Sequence, residues 1–173
     1  CVSPGHGLGL RTEPRETSAL FREREIGTEI ARRYDGTRSE SLPSSHFNYE
    51  GLPPVGDQRS QGSCVGWAWA YYSLTHQVAR AMGMWDTSVP EHQFSPAFLY
   101  NQINDGTDTG AYLYDAALIL SQFGCATMST MPYNQYDCTE WPSPDAYREA
   151  MKYRLQEPTW HSLSSADDIV VLK

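Results

Sequence analysis

A chain that places Gly-Ser-Cys directly ahead of a long apolar run has little freedom at that point. It must turn tightly and then enter a buried helix. Residues Asp57-Gln58-Arg59-Ser60-Gln61-Gly62-Ser63-Cys64-Val65-Gly66-Trp67-Ala68 have this arrangement. From Cys64 to Met82 nearly every face carries Ala, Trp, Tyr, Leu or Val, including Trp67, Trp69, Tyr71 and Tyr72. That pattern predicts a helix buried all round, ended by Gly83. Cys64 then falls in the first helical turn, where unpaired N–H groups and the positive end of the dipole favour thiolate over thiol. Gln58 stands six residues earlier, on the incoming loop. It is close enough to fold back and donate a hydrogen bond to an oxyanion forming at the carbon the sulfur attacks. The competing reading is an inert buried cysteine that merely opens a core helix. The Gln at this offset weighs against it.

The segment from Leu52-Pro53-Pro54-Val55-Gly56-Asp57-Gln58 through Gly62-Ser63-Cys64 resembles the active-site segment of papain-like cysteine peptidases, in a divergent, microbial or viral form. The resemblance implies that Cys64 is the nucleophile and Gln58 the oxyanion-hole donor, with Gly62 and Ser63 beside the substrate. Two positions depart from the family. Gln61 stands where a disulfide cysteine is common, and Val65 where an aromatic is common. The first removes a staple and the second changes a packing residue. Further along, Phe94-Ser95-Pro96-Ala97-Phe98-Leu99-Tyr100 resembles the family's second helix, with Ser able to cap it and Pro suited to its first position. Gly110-Ala111-Tyr112-Leu113-Tyr114-Asp115-Ala116-Ala117-Leu118 resembles the family's glycine turn and following helix. That implies a substrate backbone paired with Ala111, and Tyr112 and Leu113 lining an apolar pocket. Ordinary turn and core roles for these three compete with it. Phe123-Gly124-Cys125 followed by Met131-Pro132-Tyr133 is similar to a family loop ending in Pro-Tyr. The resemblance covers about residues 42–173. It implies an α+β, papain-like fold, of which this chain holds mainly the helical domain and the start of the β-rich one.

A peptidase of this type needs a His to accept the thiol proton and an Asn to orient it, about 130–150 residues after the Cys. Residue 173 falls short of that. Ser164 to Lys173 reads as a capped helix cut off early. The base is therefore expected from a further C-terminal half or a second chain. His6, His46, His76, His92 and His161 are the histidines present. None has the Gly or aromatic context of the family's His. His76 lies about 18 Å along the helix from Cys64 at 1.5 Å per residue. His161, in Trp160-His161-Ser162, is the least implausible substitute. The resulting expectation is a cysteine endopeptidase acting on peptide or protein substrates. The alternative is a catalytically incomplete module with a structural or interaction role in a larger assembly. Transferase or deamidase chemistry at the same Cys is not separable from hydrolysis by sequence.

Composition narrows the partners. The net charge is −8 and the pI about 5.0, which disfavours nucleic acid or an anionic membrane. No run of 18 apolar residues exists to span a bilayer. The cysteines, at 1, 64, 125 and 138, form neither Cys-x-x-Cys nor a zinc-spaced cluster, so neither a metal nor any other cofactor is expected. Cys125 and Cys138 can pair in an oxidising compartment or stand as two thiols. Cys138 resembles a family half-cystine, but its usual partner position near Tyr100 and Asn101 carries no Cys. The compartment is left open, with a secreted or extracytoplasmic one preferred. Residues 1–41 form a charged leader or short pro-segment, with a weak helical stripe from Leu20 to Tyr34 interrupted by Gly27. Residues 42–173 form the peptidase domain. Within it, Asn104 to Gly110 reads as a flexible acidic surface loop, poor in the alternating carboxylates a calcium site needs. Residues 145–155 read as a short helix entering a strand, Tyr153 to Glu157.

Overall fold

The Gly62-Ser63 turn delivers the chain into α1, a continuous helical run. In the computed structural model α1 consists of an α-helical start at Cys64–Gly66, a π-helical stretch at Trp67–Leu74 and an α-helical end at Thr75–Ala81. The structure describes residues 9–11, 49–83 and 85–155, all within one compact unit. The boundary at 41/42, the stripe at 20–34, His6, His46, His161 and the helix expected at 164–173 lie outside the described residues.

α1 differs from the expectation of burial on every side. Trp67, Ala70, Tyr71 and Leu74 are buried, a stripe at i, i+3, i+4 and i+7. Ala68, Gln77 and Arg80 face solvent, and Trp69 and Tyr72 are half-buried. The sequence is apolar all round, yet burial is complete on one face and partial elsewhere, where Trp69 packs at the edge of the core and the Tyr72 hydroxyl accepts from the Gly56 N–H at 2.9 Å. Gly83 ends the run in the left-handed conformation, at φ 77°, as its position predicts.

Ser-Pro pairs open two of the other helices. In α2, Pro96–Tyr100, the Ser95 hydroxyl accepts from the Phe98 N–H at 3.1 Å and Pro96 takes the first helical position. In α4, Pro144–Ala150, Ser143 does the same for Ala146 at 3.2 Å. Between them runs α3, Leu113–Gln122, which buries Ala116, Ala117 and Leu120. A single 3-10 turn, Pro90–His92, precedes α2. Every residue of α2 is buried, and Phe94, Phe98, Leu99 and Tyr100 form the core with Val65, Leu74 and Leu120. α1 and α2 approach closely at Gly66. A Cβ there would stand 2.6 Å from the Pro96 carbonyl oxygen, inside van der Waals contact.

The described residues contain no strand. They hold two isolated bridges, Leu10 with Ala111 in parallel and Phe94 with Thr127 antiparallel. Of the strand expected at 153–157, residues 153–155 are a bend followed by irregular chain. The Lys152 and Tyr153 N–H groups fold back onto Glu149 and Ala150 carbonyls at 3.0 and 2.9 Å, closing the end of α4. Leu155 then makes one backbone bond, to Leu120 at 3.0 Å, too little to define a ladder. The start of the β-rich domain is thus absent from the described residues.

Cys125 and Cys138 do not pair. Cys125 is a buried free thiol, whereas Cys138 is held in a disulfide. The loop from Asn104 to Gly110 is also more built than a surface loop. Asn104 is fully buried, donating to the Cys138 carbonyl at 2.7 Å and accepting from the Gly106 N–H at 2.9 Å.

Candidate active site

Cys64 carries a free, half-buried thiol at the first position of α1. Ser63 is its N-cap residue by position, and the Ser63 carbonyl accepts the Trp67 N–H at 3.1 Å. The Ser63 hydroxyl does not cap the helix. It lies 2.7 Å from the Tyr133 hydroxyl, whose own proton goes to the Gln58 carbonyl at 2.8 Å. A phenol has one proton to give, so Ser63 is the donor to Tyr133. Burial pushes the Tyr133 hydroxyl above its usual range, against the pull of the Ser63 bond. It stays a protonated donor at neutral pH.

The loop ahead of Cys64 is tied down residue by residue. Arg59 takes a left-handed φ of 58°, with its N–H on the Asp57 carboxylate at 2.8 Å. Gln58 is half-buried, and its Nε2 donates to the Gln61 carbonyl at 3.1 Å, which brings the side chain back along the loop toward the turn at Cys64. Gln61 is fully buried and donates to the Asn134 carbonyl at 3.2 Å. The Gly62 N–H donates to Asp108 Oδ1 at 2.7 Å, and the Tyr100 hydroxyl donates to the same oxygen at 2.8 Å. Burial, followed by the bond to Asp108, pushes the Tyr100 hydroxyl well above its usual range. Tyr100 in turn accepts from the Gly110 N–H at 3.3 Å. Asp108 and Tyr100 therefore clamp the turn ahead of Cys64 to the glycine turn at 110–111.

The residues assigned to substrate contact sit together around this clamp. Gly62, Ser63 and Ala111 are buried, and Tyr112 and Leu113 are half-buried at the start of α3. Ala111 uses both backbone groups in pairing, but with residues of this chain. Its N–H donates to the Gly9 carbonyl at 2.7 Å, and its carbonyl accepts from the Arg11 N–H at 3.1 Å. Tyr112 lies under the Arg11 guanidinium, 5.4 Å from carbon to ring centre.

The described histidines, His76 and His92, contact other parts of the chain. His92 Nδ1 is 2.9 Å from the Asp86 carbonyl, and its ring stacks on Trp85 at 4.5 Å. His76 lies twelve residues along α1 from Cys64 and packs against Gly51. No group of three His, Cys, Asp or Glu side chains suited to a metal occurs among the described residues, and none of their helices is long and apolar enough to cross a membrane. Sequence reasoning missed Tyr133, Asp108, Tyr100 and Arg11. Tyr133 and Tyr100 carried a signal only as the last residues of Met131-Pro132-Tyr133 and of the Phe94 to Tyr100 segment.

No family model matches the chain, and no curated protein matches it. Among solved structures, it is similar to xylellain, a cysteine protease from Xylella fastidiosa, with a TM-score of 0.66 at 17% identity. The match covers 98% of this chain and 64% of xylellain, so the chain spans less than two thirds of that protein's length. At this identity the likeness speaks for the fold alone, and the fold is papain-like.

Proposed function

We propose that this chain carries the nucleophile half of a cysteine peptidase. The observation that carries the reading is the placement of Cys64. A free, partly exposed thiol opens α1, and the Gln58 side chain is folded back onto the Gln61 carbonyl, three residues before the thiol. The Cys64 sulfur attacks the carbonyl carbon of a peptide bond. The oxygen that gains charge is met by the Cys64 backbone N–H and by Gln58 Nε2, donors fixed before the reaction begins. Tyr133, through Gln58 and Ser63, holds both ends of that loop in register. A histidine from outside the described residues takes the thiol proton and returns it to the leaving amine. Gly62 and Ser63 flank the bound carbonyl, Ala111 offers its backbone to the peptide, and Tyr112 and Leu113 line a side-chain pocket.

The test is turnover of a fluorogenic peptide by the native protein. Cys64→Ala is expected to abolish turnover. Gln58→Ala is expected to lower kcat by about 100- to 1000-fold, the cost of deleting one oxyanion donor. Unchanged turnover in either variant contradicts the assignment of that residue.

A further inference from the structure

The backbone edge at Ala111 is occupied, and its occupant is held by more than backbone. Residues 9–11 run parallel to it, bridged at Leu10. Gly9 lies so close to the nucleophile's turn that a Cβ on it would stand 1.6 Å from the Gly62 carbonyl oxygen. A Cβ on Gly110 would stand 2.1 Å from the Gly9 oxygen. Only glycine fits at either place. The Leu10 side chain points to solvent, 59% exposed, and contributes little grip. Arg11 is different. Its Nε donates to the Thr109 carbonyl at 3.1 Å, one terminal nitrogen to Asp105 Oδ2 at 2.9 Å, and the other to the Thr109 hydroxyl. The ring of Tyr112 faces the guanidinium carbon, and the side chain retains 22% exposure. A carboxylate, a carbonyl, a hydroxyl and an aromatic face set around one planar cation match what a guanidinium offers and an ammonium does not. The loop adopts an unusual shape to do this, with Asp105 at φ 56° and Gly110 at φ 90°.

We propose that residues 105–112 form an arginine-reading subsite on the peptide-binding edge. It takes an extended peptide whose backbone pairs with Ala111 and whose arginine lies between Tyr112, Asp105 and Thr109. Residues 9–11 are its built-in occupant. The inference rests on the peptidase reading for the claim that peptides bind at Ala111, and it adds the side chain they carry. Both backbone groups of Ala111 are used by Gly9 and Arg11, so an incoming peptide must displace this segment first. Arg11 sets how hard that displacement is.

The experiment measures binding and not cleavage, using the full chain with Cys64→Ser. The probe is a fluorescein-labelled peptide copying residues 7–13, and a second copy carries Gln in place of its Arg. Fluorescence anisotropy is read for C64S, C64S/R11A and C64S/R11A/D105N, with circular dichroism confirming that each is folded. The Arg peptide is expected to bind C64S/R11A about tenfold more tightly than C64S, because its competitor has lost its anchor. The Gln peptide is expected to bind C64S/R11A about tenfold more weakly than the Arg peptide, and D105N to remove most of that difference. Equal affinity of C64S and C64S/R11A, equal affinity of the two peptides, or no binding to any variant overturns the proposal. Because the thiol is absent, the result is independent of catalysis. Binding as expected by a protein whose Cys64 form never cleaves peptides sinks the peptidase reading and leaves the subsite standing. Cleavage with no preference for arginine does the reverse.

Discussion

Asp108 offers the sharpest perturbation of the site, since one oxygen atom holds two elements together. Truncation by Asp108→Ala removes the acceptor of both the Gly62 N–H and the Tyr100 O–H. Both donors belong to buried residues, and a buried donor left without a partner costs about 1–3 kcal/mol. One term works in the opposite direction. Asp108 Oδ2 is buried without a hydrogen-bond partner, and that cost disappears with the carboxylate. The net expectation is a loss of about 2–4 kcal/mol, or roughly 5–15 °C in Tm for a chain of this size. Asp108→Asn keeps an oxygen at the Oδ1 position but makes it a neutral acceptor, and it puts an NH2 group where Oδ2 has no partner. It should cost about 1 kcal/mol. Tyr100→Phe removes the other member of the clamp, and with both changes present the losses should fall short of their sum. The assays are urea denaturation for the global effect and amide hydrogen exchange for the local one. Exchange at Gly62 should accelerate in Asp108→Ala beyond the global loss of stability. A variant that melts within about 1 °C of the parent, with Gly62 equally protected, refutes the clamp.

Other expectations follow from particular contacts. Gly66→Ala adds a Cβ 2.6 Å from the Pro96 oxygen. Overpacking of about 1–3 kcal/mol is set against the roughly 1 kcal/mol gained in helix propensity, so the variant should lose up to about 2 kcal/mol in urea denaturation, and a gain would show that α1 and α2 are not in contact there. The Ser88 hydroxyl and N–H hold the Asp86 carboxylate below its usual range, and the Thr139 N–H and hydroxyl do the same for Asp137. A lowered folded-state value means stability that is present above the unfolded value, about 3.9, and lost as pH falls through the folded one. Tm should therefore drop as pH falls below about 4, and the Asp86→Asn/Asp137→Asn pair should flatten that slope. An unchanged acid slope in the pair contradicts these assignments.

What the sequence made legible was local, and what it hid was remote. Ser95-Pro96 announced α2 because the cap and the helix it caps are three residues apart, and the Ser95 hydroxyl does bond the Phe98 N–H. Ser143-Pro144 opens α4 in the same way, although the helix there was expected only from residue 145. Gly83 ended α1 by its own backbone preference. The thiol at the start of α1 and the Gln58 side chain bonded back onto its own loop are local for the same reason, lying within seven residues. The clamp was not readable. Asp108 looked like one acid among the polar residues of a loop, and its meaning depends on Gly62, 46 residues away. The pairing of residues 9–11 with Ala111 spans about 100 positions, and no periodicity marks it. Burial around α1 was overestimated because apolar composition does not say how many faces find partners. The strand at 153–157 was read from residue type, while the backbone of 152–153 was spent on closing α4.

The central claim is that Cys64 is an activated nucleophile. The most direct measurement is alkylation of the native protein across pH, read at each cysteine by peptide mass spectrometry. Cys125 serves as the internal reference, because it is fully buried and its thiol is pushed far up by that burial. The account predicts fast, selective labelling of Cys64 already at about pH 5–6, as for a thiolate paired with a cation, with Cys125 inert throughout. Labelling of Cys64 that rises only above about pH 8, like an ordinary thiol, contradicts it.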